Sequence, residues 1–218
     1  MTDGPEPPGG LAQALRQATA ALHRQAERSG FVEQVLRGEV TRPAYALYLR
    51  NLMPAYAAME RGLERHRGTP GVGALALQAL YRTDAISEDL VRLGGARWPD
   101  DLPLLAAGAD YAKAVEAVAG GDGAGLIGHA YTRYLGDLSG GRILARLLAA
   151  RLDLGPADLA FHAFPDIPDP DAFKDAYRAA LDAAGRVLAR PDRVIEAACT
   201  GFRLNIAVSE AVQAHTAR

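Results

Sequence analysis

Apolar side chains recur at three- and four-residue intervals along most of the chain, and no alternating run of β-branched residues interrupts them. This spacing predicts an all-α protein. Leu11, Leu15, Ala18 and Leu22 fall on one face of a helix over Leu11 to Ser29, which Gly30 can end. After the short apolar segment Phe31 to Leu36, Thr41 is placed to cap a helix with Pro43 in its first turn, running to about Arg67 with a kink at Pro54. Breaks are expected at Gly68 to Gly73, Gly94 to Pro103, Gly120 to Gly125, Gly155-Pro156 and Pro165 to Pro170. Between them the pattern predicts helices over Ala74 to Leu93 with an interruption around Thr83, over Leu104 to Ala119, and over Ala124 to Leu152. Asp169-Pro170 opens a helix to Leu188, and Pro191 opens the last one.

The Ala124 to Leu152 segment breaks its own rule. Gly136, Gly140 and Gly141 sit in its interior, where each costs roughly 1 kcal/mol relative to alanine. Gly136 and Gly140 lie roughly 40° apart around the helix, so together they offer bare backbone to a flat ligand and a place to bend. A tight crossing by a neighbouring helix is the plainer explanation. A membrane dimerisation face is excluded by Arg133, Asp137, Arg142 and Arg146, and a phosphate loop by the lack of a preceding strand and of Gly-Lys-Ser/Thr.

Composition narrows the function. The 218 residues are 49% hydrophobic, enough for one helical domain over 11–218, behind a Pro/Gly-rich start at Met1 to Gly10 expected to be a disordered tail. A net charge of -2 and a pI near 6.2 argue against nucleic acid or an anionic membrane as the main partner. A single cysteine, Cys199, excludes an internal disulfide and cysteine-held metal clusters and suits the cytoplasm. No apolar run reaches the length of about 20 residues that a membrane span needs.

The five histidines lack the Glu-x-x-His spacing of di-iron bundles and the His-Glu-x-x-His of zinc proteases, which leaves a single-histidine site of the kind that holds haem. His23 is the best candidate, because Glu27 lies one turn on and can fix its tautomer; His129, on the glycine-bearing segment, is its rival. His66, His162 and His215 fall at helix ends or in loops and are expected to be solvated. Asp137, four residues after Arg133, is either a helix-surface ion pair or a carboxylate that anchors water beside a ligand.

Leu15-Arg16-Gln17-Ala18-Thr19, Leu22-His23-Arg24-Gln25-Ala26-Glu27, Val40-Thr41-Arg42 and above all Tyr131-Thr132-Arg133-Tyr134-Leu135-Gly136-Asp137-Leu138-Ser139-Gly140-Gly141 resemble the haem oxygenase family. Phe173-Lys174, Tyr177-Arg178, and Phe202 with Leu204-Asn205-Ile206 add to the likeness. The resemblance implies a helical bundle holding haem b between a proximal helix and a glycine-kinked distal helix. It implies His23 as iron ligand with Glu27 behind it, Gly136, Gly140 and Gly141 as a distal wall that flexes, and Asp137 with Arg133 as organiser of distal water. It further implies that Arg16, Tyr131, Lys174 and Arg178 hold the propionates and that Phe202 and Asn205 line the pocket. Arg16 stands where lysine is frequent in the family, which keeps the charge and changes its geometry.

The implied reaction is oxidative cleavage of haem at a meso carbon, the α carbon, to biliverdin, carbon monoxide and ferrous iron, with O2 and electrons from a ferredoxin or flavin reductase. The chain ends soon after its last helix, without the hydrophobic anchor of membrane-bound members, so a soluble bacterial-type enzyme is expected. Two other readings compete: a haem-trafficking protein without turnover, and a helical interaction module whose glycines serve packing. Asp137 favours the enzyme over the first, and the His23 segment disfavours the second.

Overall fold

A computed structural model describes residues 9–217, and among these residues it contains helices and turns but no strand. The expected tail lies mostly outside the described residues; Gly10 already opens α1 (Gly10–Ala26). Leu11 and Leu15 are fully buried, each contributing about 1.5–3 kcal/mol of hydrophobic stabilisation. The helix ends at Ala26, and Gly30 does not terminate it but opens α2 (Gly30–Arg37). The reason is steric: Gly30 has φ +58°, and a Cβ there would run into the Ser209 backbone.

Thr41 caps α3 (Arg42–Arg65) by accepting the Ala44 N–H at 3.3 Å, and the helix continues through Pro54. The Ala74 to Leu93 segment is not one helix. Two short 3-10 turns, Gly73–Leu75 and Gln78–Leu80, precede α4 (Thr83–Gly94), and a one-turn helix α5 (Trp98–Asp101) falls inside a predicted break. After α6 (Ala106–Val118) comes α7 (Ala124–Ala130), then two π-helical turns, Tyr131–Leu135 and Asp137–Gly141, then α8 (Arg142–Leu152). The glycine-bearing segment is thus a helix whose backbone widens over ten residues of its length, as π turns at functional sites do. A 3-10 run, Pro156–His162, leads to α9 (Pro170–Val187), which Asp169 caps through the Asp171 and Ala172 N–H groups, and α10 (Pro191–Thr216) closes the chain.

The long helix α10 is the spine, packed on α1, α2, α3, α6 and α7. It crosses α7 closely at Gly128, where a Cβ would strike the backbone at Val194 and Ala198. The other side of the molecule is α3 against α4 and α6, with α4 carrying the Pro156–His162 run.

Candidate functional site

A cavity of about 1030 Å³ opens between α1 and the π-helical stretch. Its walls follow from the sequence in a simple way. α1 presents Arg16, His23 and Glu27, the distal segment presents Gly136, Gly140 and Gly141, α9 presents Arg178, and α10 presents Phe202 and Asn205. A Cβ at Gly136 or Gly140 would meet nothing within 4 Å, so these glycines are not packing devices for another helix; they face open space.

On the α1 side, His23 is exposed, its Nδ1 3.6 Å from Glu27 Oε1 and its ring edge-on to Phe202 at 5.8 Å. His129 is oriented elsewhere: it is 1% exposed, sits against Tyr111 and Gly201, and lines a separate cavity of about 540 Å³ with Arg193 and Glu196. Burial alone pushes its imidazole down to about 4. It is therefore no competitor for a ligand in the larger cavity.

The distal side carries a buried polar network. Arg133 donates from Nη2 to Asp137 Oδ1 (3.1 Å), from Nε to the Tyr56 hydroxyl (2.8 Å) and from Nη1 to Asn205 Oδ1 (2.5 Å). Tyr56 in turn donates to Asp137 Oδ2 at 2.5 Å, and Tyr48 to Asn205 Oδ1 at 3.4 Å. Asp137 is 5% exposed, so the surface ion-pair reading fails. Burial raises its carboxyl above the ordinary range, while Arg133 and the Tyr56 hydroxyl pull the other way. Burial likewise raises Tyr56 well above its usual value. Such a network is rigid when complete and costly when broken, since removing one partner strands a charge in a dry interior.

At the cavity mouth, Arg16 and Arg178 stand near Tyr131, whose hydroxyl burial raises and both cations lower. Lys174 is the expected site residue that the structure does not bring in: it is not among the lining residues, and its Nζ is paired with Asp171 Oδ1 at 2.7 Å. His162 is the opposite case. Expected to be solvated, it lines the cavity with both ring nitrogens shielded and without a hydrogen-bond partner, and burial with the Arg133 charge holds its imidazole down at about 3. Asp89 explains its placement: the carboxylate is fully buried and accepts the Ala160 and Phe161 N–H groups at 2.8 and 2.9 Å, clamping the run that carries His162. His66 is also tied down, its ring nitrogens within reach of Thr69 Oγ1 and the Ala119 carbonyl, whereas His215 is exposed.

Sequence reasoning missed Tyr45, Tyr48 and Tyr56, which line or support this cavity. Their spacing of three and eight residues puts them on one face of α3, and that periodicity was the available signal.

Comparison with known proteins agrees with this architecture. The family model described as Heme oxygenase matches residues 9–211. Human Heme oxygenase 1 is 37% identical over 209 residues, covering 94% of this chain and 73% of its own, and Heme oxygenase 1 of the cyanobacterium Nostoc is 36% identical, covering 90% and 83%. Among solved structures, Synechocystis heme oxygenase-1 in complex with heme superposes with a TM-score of 0.89 at 33% identity, over 94% of this chain and 93% of that one. Heme oxygenase from Leptospira interrogans gives 0.87 at 32% identity, over 93% and 99%. The chain belongs to the haem oxygenase family and is an enzyme that opens haem to biliverdin.

Proposed function

We propose that the cavity between α1 and the π-helical stretch binds haem b as both substrate and cofactor, with His23 as the iron ligand and the ring lying against Gly136 and Gly140. The observation that carries this reading is the pairing of an exposed, singly supported histidine with a wall of bare backbone on the opposite side. The fit is good on three counts. The cavity has the volume for a porphyrin, Arg16 and Arg178 suit two carboxylates at its mouth, and Phe202 offers an aromatic edge beside His23.

Bound there, haem supplies an iron that activates O2 and the macrocycle that is consumed. The protein's part is positional and protonic. Glu27 keeps the His23 ring oriented, directly or through water, and so turns its other nitrogen toward the ligand. The glycine wall admits the plane closely and excludes bulk water. Asp137, held by Arg133 and Tyr56, presents a carboxylate that orients water toward the reacting side and delivers protons through it rather than directly. Arg16 and Arg178 fix the rotation of the ring, which selects the α-meso carbon for cleavage. Carbon monoxide and ferrous iron leave as the other products. O2 and a ferredoxin or flavin reductase complete the reaction, in the cytoplasm of a bacterial cell; no helix among the described residues is long and apolar enough to cross a membrane.

His23→Ala tests the ligand assignment. The variant folds, since the side chain is exposed, and its haem complex lacks the iron-histidine stretching band in resonance Raman spectra. A band like that of the parent refutes the assignment.

A further inference from the structure

The helix α1 carries both Arg16 and His23, yet no side chain of its own caps its start. Gly9 precedes it and has none to offer, so the unpaired N–H groups of the first turn need an acceptor from elsewhere. Asp182, on α9, supplies one: its Oδ1 accepts the Ala12 N–H at 2.8 Å. Among the described residues no other hydrogen bond joins α1 to α9. Two glycines make room for the contact. A Cβ on Gly10, which has φ +82°, would strike Asp182 Oδ1, and a Cβ on Gly185 would come within 2.9 Å of the Leu11 Cβ.

The contact belongs to the ligand side of both helices, since Ala12 and Asp182 line the large cavity with Arg16 and Arg178. Leu11 meets Gly185 and Ala12 meets Asp182, so the contacts run in opposite order along the two helices. One turn beyond this pin lie Arg16 on α1 and, in the matching direction on α9, Arg178, both close enough to act on the Tyr131 hydroxyl. Arg178 is otherwise tied only along its own helix, to Asp175 at 2.6 Å. The packing of Leu11 on Gly185 is not directional and lets α1 slide or turn against α9, whereas a hydrogen bond with a required length and angle does not.

We propose that Asp182 is a positioning residue for regiospecificity: by pinning the first turn of α1 to α9 it fixes Arg16 relative to Arg178, and thereby the rotation of the haem ring whose two propionates those arginines receive. The inference rests on the propionate roles given under the proposed function. Two cations at a set separation accept two carboxylates in one rotation of the ring. When the separation is free, other rotations bring other meso carbons to the reacting side.

Asp182→Ala and Asp182→Asn test this, the asparagine because its amide oxygen can still accept the Ala12 N–H. Proton NMR of the ferric haem complexes with cyanide reads the seating of the ring without turnover, through the shifted haem methyl resonances, and chromatography of the biliverdin isomers reads its consequence. Asp182→Ala should show a further set of methyl resonances and raise the non-α isomers about tenfold, the worth of one hydrogen bond. Its apoprotein should melt about 2–4 °C lower for the lost cap. Asp182→Asn should return the resonances and the isomers to the parent pattern. Lower melting with parent-like resonances and isomers in Asp182→Ala would make the bond a helix cap alone and overturn the proposal. So would an asparagine variant as disturbed as the alanine one, because the charge rather than the bond would then be at work. Failure of the underlying reading shows differently: the double variant Arg16→Ala, Arg178→Ala would still give the α isomer alone, and the proposal would fall with it.

Discussion

Replacing Gly136 or Gly140 by alanine should make the apoprotein more stable and the enzyme worse. A glycine inside a helix costs roughly 1 kcal/mol relative to alanine, and at these two positions the new methyl would touch nothing within 4 Å. For a chain of this size each substitution should raise the apoprotein melting temperature by about 2–4 °C. The same methyl occupies the space into which the haem plane must fit, so haem affinity should fall by at least about tenfold, the loss of roughly 1.4 kcal/mol of close contact. Gly128→Ala is the internal contrast: there the Cβ would strike the α10 backbone, and stability should drop. Differential scanning calorimetry of the apoproteins and haemin titration read both quantities. A fall in stability for Gly136→Ala and Gly140→Ala like that of Gly128→Ala would mean that these glycines serve packing. A rise without any loss of haem affinity would mean that the ligand does not lie against this wall.

Four further outcomes follow, two from the site and two from buried groups outside its lining. Asp137→Ala should bind haem nearly as the parent does but lose most biliverdin formation in single-turnover absorption spectra, and parent-like turnover would refute its role in proton delivery. Arg16→Ala combined with Arg178→Ala should give mixed biliverdin isomers by chromatography, while Lys174→Ala, already engaged with Asp171, should leave the pattern unchanged; the reverse result would reassign the orienting cation. His129, pushed down to about 4 by burial, is neutral in the fold, so its contribution to stability is present above the ordinary histidine value near 6.5 and is lost as pH falls from there toward 4. Asp89, pushed up to about 6 by burial, acts in the opposite sense, its contribution being lost as pH rises from about 4 through 6. The melting temperature of His129→Leu should therefore decline less than that of the parent between pH 6.5 and 4, and parallel curves would contradict the burial argument.

The helices were legible because burial imposes a period. Thr41, Asp169 and Pro191 marked starts that the fold uses, and the Gly136-Asp137-x-x-Gly140 pattern marked the cavity wall. Gly30 was misread because glycine after an amphipathic run signals a stop, whereas here its positive φ and the approach of Ser209 serve a start. The interruption of Ala74 to Leu93 by 3-10 turns was foreseen only at Thr83, since short turns leave no period to read. His162 looked like a loop histidine because it lies between the breaks at Gly155-Pro156 and Pro165 to Pro170; what holds its run in place is Asp89, some seventy residues away, through backbone contacts that side-chain identity does not announce. The same holds for the Arg133–Asp137 pair, whose strength comes from Tyr56 on another helix.

The most direct test of the whole account is a single-turnover experiment on the purified protein loaded with one equivalent of haem, reduced and exposed to O2. The Soret band of a histidine-ligated haem should give way to the absorption of biliverdin, with one carbon monoxide released per haem and ferrous iron free for capture by a chelator. A stable haem complex that is reduced and reoxidised repeatedly with its Soret band intact, releasing no carbon monoxide, would contradict it.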